Sequence, residues 1–138
     1  HTLVYPNFDE ESFIKIFSKT EIKFSRSLEK LSMGEKSKLR IALTMAREAA
    51  VYILDEPFKG IDLLSREEII KTVIRNHPEG SSVIITTYEL ADTEKIYDKV
   101  VFLKNNGIER IEDIESIREE GMSEVELYKE VYSDVKLL

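Results

Sequence analysis

The chain has 138 residues, a formal net charge of −7 and no cysteine. That length holds one domain with a real core. The missing thiols exclude a disulfide framework or a thiolate metal site, and the spread of acidic residues speaks against broad nucleic-acid binding, which needs a basic stripe.

The longest apolar run, residues 49–54, is far too short to cross a bilayer, and no secretory leader pattern is visible. Residues 1–7 read as an irregular or extended lead-in. Residues 8–19 read as a short helix: Asp9 suits the N-cap, Glu10 and Glu11 suit the first turn, and Phe13, Ile16 and Phe17 share a face. Residues 20–30 form a polar connector. A second helix opens at Ser32, where Glu35 three positions on makes a capping box before an apolar-periodic run of Leu39, Ala42, Leu43 and Ala46. The N-terminus of such a helix carries free N–H groups and the positive end of the macrodipole, and Gly34 lets a ligand come close to the backbone. That chemistry suits a phosphate; by itself it is also how an ordinary capped helix begins.

Residues 49–54 are a short continuous apolar run, as expected for a central parallel strand covered on both faces. Asp55 and Glu56 follow where that strand must emerge, and open α/β sheets bind ligands at the carboxyl ends of their strands. Asp55 can hold Mg²⁺, usually through water, because Mg²⁺ keeps part of its hydration shell. Glu56, facing the other way, can polarise an attacking water. Alone, an Asp-Glu pair is a solvated turn; the capped helix before it and Gly60-Ile61-Asp62 after it supply the context that argues otherwise.

Residues 65–76 read as a helix with Ile69, Ile70, Val73 and Ile74 as its stripe, 77–80 as a turn, and 82–87 as a second apolar strand. A short helix is expected over 88–96. Residues 100–104 and 108–111 read as strands joined by the hairpin turn 105–107, and 112–120 and 123–132 as helices, the last with Val125, Tyr128, Val131 and Tyr132 on one side. Strands alternating with helices predict a parallel α/β sheet.

Three segments taken together resemble the ATP-binding cassette (ABC) ATPases. Leu31-Ser32-Met33-Gly34-Glu35 is similar to the family's signature, residues 51–56 to its Walker B strand, and Lys59-Gly60-Ile61-Asp62 to its D-loop, in the family's order; residues 83–87 resemble the strand that carries the family's switch residue. Tyr5-Pro6-Asn7-Phe8-Asp9 also resembles the helical subdomain of cassettes that serve certain bacterial exporters. The resemblance covers roughly residues 5–132. It implies a three-layer P-loop NTPase (RecA-like) α/β fold, with residues 1–48 as the remainder of the helical subdomain including the signature helix. Residues 49–138 would then be the C-terminal part of the core sheet with its C-terminal helices.

In function, the resemblance implies an ATP-binding subunit of an ABC transporter that hydrolyses ATP at a head-to-tail dimer interface. Ser32 and Gly34, with Glu35 beside them, would meet the γ-phosphate bound by the partner. Asp55 would hold Mg²⁺, Glu56 would activate water, and Asp62 would communicate across the dimer. Its partners would be a second ATP-binding subunit and a separate membrane-spanning subunit, with no nucleic acid; its place would be the cytoplasm, on the inner face of the membrane.

The chain departs from the family's pattern in three ways. Its five glycines are nowhere spaced as G-x-x-x-x-G-K-[ST], so it has no P-loop, and it has no glutamine for a Q-loop. After the second strand the family usually has a histidine; here it is Tyr88, while His77 lies in the turn at the wrong end of that strand, as a surface residue. Tyrosine donates a hydrogen bond but does not shuttle protons near neutral pH. Either hydrolysis is slowed, or Glu56 carries the base role with Tyr88 positioning. The expectation is the C-terminal part of a cassette, truncated before its P-loop. Alone it would be inactive toward ATP, and it would bear an unpaired sheet edge and exposed apolar surface that favour association or a rearranged sheet. A non-transport cassette, or a degenerate one used as an interaction domain, is the alternative.

Overall fold

Asp9 starts the first helix as expected: its carboxylate accepts the Glu11 amide at 3.0 Å, and α1 runs Glu10–Phe17. The computed structural model describes residues 5–88 and 97–133. A 3₁₀ turn, Ser18–Thr20, follows α1, and a second, Leu28–Lys30, leads to α2, Met33–Met45. The connector between them is less polar in use than in composition. Ile22 and Leu31 are buried with Phe17, and Phe24 lays its ring 4.3 Å from that of Phe17.

Ser32 and Glu35 form both halves of a capping box at the start of α2. The helix buries Ser37, Ile41, Ala42, Met45 and Ala46, while Leu39 and Leu43 are only half-buried. The buried arc is rotated from the expected stripe because α2 is packed by α1, α3 and β1 around more than one side. Its C-terminal end is tied back to the start of the described chain: the Asp9 amide donates to Ala46 O at 2.7 Å, and the Glu48 amide to Asn7 O at 3.0 Å.

Strand β1, Val51–Asp55, pairs in parallel with β2, Ser82–Thr86, and the crossover between them is α3, Leu63–Asn76. Helix α3 buries Ile69, Ile70 and Val73 and leaves Ile74 exposed. Only one face of this ribbon is buried. Tyr52 and Leu54 are 2% and 6% exposed, whereas Val51, Ile53 and Ile84 are 50%, 66% and 50% exposed. The expectation of a strand covered on both faces is therefore corrected: among the described residues, elements lie against one face only. Exposed apolar surface is thus present, as expected, at Val51, Ile53 and Ile84.

The chain falls into two compact units, His1–Tyr88 and Glu89–Leu138. The helix expected over 88–96 falls almost wholly outside the described residues. In the second unit β3, Lys99–Lys104, and β4, Gly107–Asp113, form an antiparallel hairpin, with Asn105 and Asn106 in the left-handed region its two-residue turn requires. Phe102 is buried with Ile114 and Ile117 of α4, Ile114–Glu119, and Leu127 of α5, Glu124–Val131.

Two expectations are corrected here. Glu112 and Asp113 belong to β4, because Glu112 pairs with Val100 and Asp113 with Lys99, whose Nζ lies 2.7 Å from Asp113 Oδ1. In α5 the buried stripe is Glu124 and Leu127, with Val131 half-buried, and Tyr128 stays exposed. Glu124 hides this stripe from a hydrophobic pattern.

Four helix starts rest on a carboxylate that accepts backbone N–H groups, which favours its charged form. Asp9 is held below its ordinary value first by the Ser12 hydroxyl, Glu35 by the Ser32 amide, Asp62 by the Ser65 amide and Glu126 by the Ser123 amide. A carboxylate whose folded value is depressed contributes stability above its unfolded value and loses it as pH falls through the folded one. We predict a thermal midpoint that is level between about pH 7 and pH 5 and falls steadily below about pH 4. Circular-dichroism melts from pH 7 to pH 3 check this; a midpoint unchanged at pH 3 contradicts it.

Candidate functional site

Parallel pairing sets Asp55 opposite Thr86 at the carboxyl ends of β1 and β2. The Thr86 hydroxyl donates to Asp55 Oδ1 at 2.5 Å. The Glu56 amide donates to Thr86 O at 3.0 Å and lies 3.2 Å from Thr86 Oγ1. Glu56 itself has φ +43°, a left-handed conformation that costs a non-glycine residue about 1 kcal/mol and persists where neighbours fix it. The neighbours are at hand. Behind Glu56, Pro57 and Phe58 are buried, with Phe58 1% exposed, and the Ile61 amide closes onto Phe58 O at 3.2 Å. Gly60 supplies the positive φ, +70°, that this tight turn needs before α3. A groove of roughly 210 Å³ borders Asp55, lined among others by Ser37, Arg40, Thr44 and Ile53.

The start of α2 lies beside the start of α3. A Cβ built on Gly34 would sit 3.6 Å from Ser65 Oγ and 3.7 Å from a methyl of Ile61, ordinary contact distances. Gly34 lies in the helix, and no left-handed φ is required of it. Nothing in this fold therefore demands a glycine at 34, although glycine weakens a helix relative to alanine. Ser32 Oγ accepts the Glu35 amide at 3.2 Å, and the Lys36 amide bonds Ser32 O at 2.9 Å. The amides of Met33 and Gly34 are left without a partner among the described residues, at the positive end of the helix. Glu35 is fully engaged: one oxygen accepts the Ser32 amide at 2.7 Å and the other pairs with Arg26. Asp62 caps α3 by accepting the Ser65 amide at 3.0 Å. Lys38 of α2 pairs with Glu68 of α3 and ties the two helices together.

Tyr88 follows β2 and is 86% exposed, so it packs into no core. His77 caps the far end of α3, exposed, with Nδ1 2.9 Å from Ile74 O. The structure thus brings Asp55 and Glu56 together on one turn, and sets Ser32, Gly34 and Asp62 at two adjoining helix starts. Sequence reasoning misses Thr86, Arg26 and Ser65. Thr86 is legible only as a residue near the end of a strand, since parallel register cannot be read from one sequence.

The donor set suits Mg²⁺ in chemistry. Asp55 offers a carboxylate oxygen, the Thr86 hydroxyl is hard oxygen too, and no group of three His, Cys, Asp or Glu among the described residues forms a closed cage. Mg²⁺ binds in just this way, through one or two protein oxygens with water and phosphate completing its shell. No helix among the described residues is long and apolar enough to cross a membrane.

Comparison with known proteins sets this geometry in a family. The family model described as "AAA domain, putative AbiEii toxin, Type IV TA system" matches residues 4–87. The ABC transporter ATP-binding protein YtrB of Bacillus subtilis (strain 168) is 30% identical over 118 residues, which are 85% of this chain and 40% of YtrB. The solved ATP-binding subunit of an ABC transporter superposes with a TM-score of 0.71 at 26% identity, covering 89% of this chain and 55% of that one. A dimeric post-hydrolysis state of an ATP-binding cassette bound to ADP and Pi superposes with a TM-score of 0.62, covering 73% of this chain and 45% of that one. At 20% identity that second likeness speaks of fold alone. The chain spans about 40% of YtrB's length and about half that of these structures. Its fold is that of the P-loop NTPase cassettes, of which it spans a part. The chain belongs to the AAA-domain family of that model, and the relatives it resembles in both sequence and fold are ATP-binding cassette ATPases.

Proposed function

We propose that this chain is the signature and Walker B portion of a cassette that hydrolyses ATP between two subunits to drive transport. The observation that carries the reading is the pairing of an open Asp55-Glu56 turn, fixed at a strand end, with a helix start whose glycine the fold itself does not require. Residues 1–48 are read as the remainder of a helical subdomain and 49–138 as the core part.

In this reading a bound Mg²⁺–ATP supplies the reacting γ-phosphoryl group and the charge that offsets the two carboxylates. Asp55 holds the metal. Glu56 accepts a hydrogen bond from the attacking water and orients it, and Tyr88 only positions. Ser32 and the free amides of Met33 and Gly34 bind phosphate oxygens presented by a second ATP-binding subunit. Glu35 does not reach for nucleotide but fixes the helix start, and Asp62 sits where the two helix starts adjoin, as the residue through which the partner is sensed. The membrane-spanning component is a separate chain, and the cassette works on the inner face of the membrane. Residues 1–138 have no P-loop, so alone they turn over no ATP. Tyr88 in the place of the family's histidine favours one second reading, a degenerate cassette used for docking.

Joining residues 5–133 to the part of YtrB that this chain does not match tests the reading. The chimera hydrolyses ATP, and Glu56→Gln lowers kcat at least about 100-fold. A folded chimera whose turnover is untouched by Glu56→Gln overturns the proposal, and one that binds ATP without turnover supports the docking reading. Gly34→Ala separates a functional glycine from a structural one. In the 138-residue chain it raises stability by up to about 1 kcal/mol, read by thermal melt. In the chimera it lowers kcat/KM. A destabilised Gly34→Ala chain contradicts this.

A further inference from the structure

The Thr86 hydroxyl touches both members of the acidic turn. It donates to Asp55 Oδ1 at 2.5 Å and stands 3.2 Å from the amide of Glu56, which also bonds Thr86 O at 3.0 Å. One hydroxyl is thereby the hinge point of two constraints. It occupies Oδ1 of the Asp55 carboxylate, which restrains that side chain's rotamer. It also helps hold Glu56 at φ +43°, a conformation that glutamate does not choose. Asp55 and Thr86 are both exposed, so no packing does this work for them.

We propose that Thr86 is a positioning residue that presents the Asp55–Glu56 pair to its metal. The inference rests on the reading of Asp55 as the metal-holding carboxylate and adds the group that aims it. A ligand carboxylate is held for binding by its own hydrogen-bond partner, and losing such a partner typically costs 10- to 100-fold in metal affinity. A serine at 86 keeps both contacts. A valine keeps shape and strand preference but can neither donate nor accept.

The test uses the whole chain with Mn²⁺ alone as the probe, its affinity read by electron paramagnetic resonance. The wild type is compared with Thr86→Val, Thr86→Ser and Asp55→Asn, each shown to be folded by its amide spectrum. Thr86→Val is expected to weaken Mn²⁺ about tenfold and Thr86→Ser to restore it to within about twofold. In metal-free spectra the Asp55 and Glu56 amides shift in Thr86→Val and return in Thr86→Ser, a signature that general loss of stability does not give. Wild-type affinity in Thr86→Val, with Asp55→Asn weakened, overturns the role of Thr86 while leaving Asp55 as ligand. So does a Thr86→Ser that fails to restore binding. Wild-type affinity in Asp55→Asn removes the metal reading itself, and the inference with it.

Discussion

The parallel ladder between β1 and β2 is the constraint on which the rest depends. It sets Asp55 level with Thr86, and the two strands end together. Because they end together, a side chain on one strand can tie the turn leaving the other. Because the face carrying Tyr52 and Leu54 is buried, the strand cannot slip by one residue without exposing that face and burying Asp55 in its place. While the Thr86 hydroxyl meets the side chain of Asp55, the backbone position of the acidic pair is thus fixed by the apolar packing of Tyr52 and Leu54 just before it. The charged groups themselves contribute little to holding it.

The helix starts complement that arrangement. Ser32 and Glu35 satisfy each other, Arg26 neutralises the free oxygen of Glu35, and the two amides that remain carry the positive end of α2. Asp62 does the same service for α3, next to Gly34 through Ser65. Stability and chemistry divide cleanly here. The caps use carboxylates whose charged form is favoured by the amides they accept, while Gly34 weakens the helix where the fold does not call for glycine.

Much of this is legible in the sequence. The Asp9 cap, the Ser32–Glu35 box and the strand ending in Asp55 follow from local rules that leave few alternatives, because each is decided within a few residues of the chain. The D-loop glycine is another case, since its positive φ shows as a glycine in a turn. What the sequence hides depends on partners far along the chain. Thr86 meets Asp55 only through register. Glu112 and Asp113 look helical until Val100 and Lys99 claim them for a strand. Leu127 packs with Phe102, Ile114 and Ile117, and the residue that shares its buried stripe is Glu124, which no hydrophobic pattern counts. The apolar strand 49–54 reads as covered on both faces, whereas Val51 and Ile53 stand exposed on one of them.

The central claim is that the glycine-bearing start of α2 meets a nucleotide held by another subunit. Sedimentation velocity of the YtrB chimera carrying Glu56→Gln, with and without ATP, asks this directly. With hydrolysis removed, ATP should shift the chimera from monomer to dimer, and Ser32→Arg should abolish the shift while leaving the fold intact. A chimera that binds ATP yet stays monomeric, or one that pairs equally well with Ser32→Arg, contradicts the account.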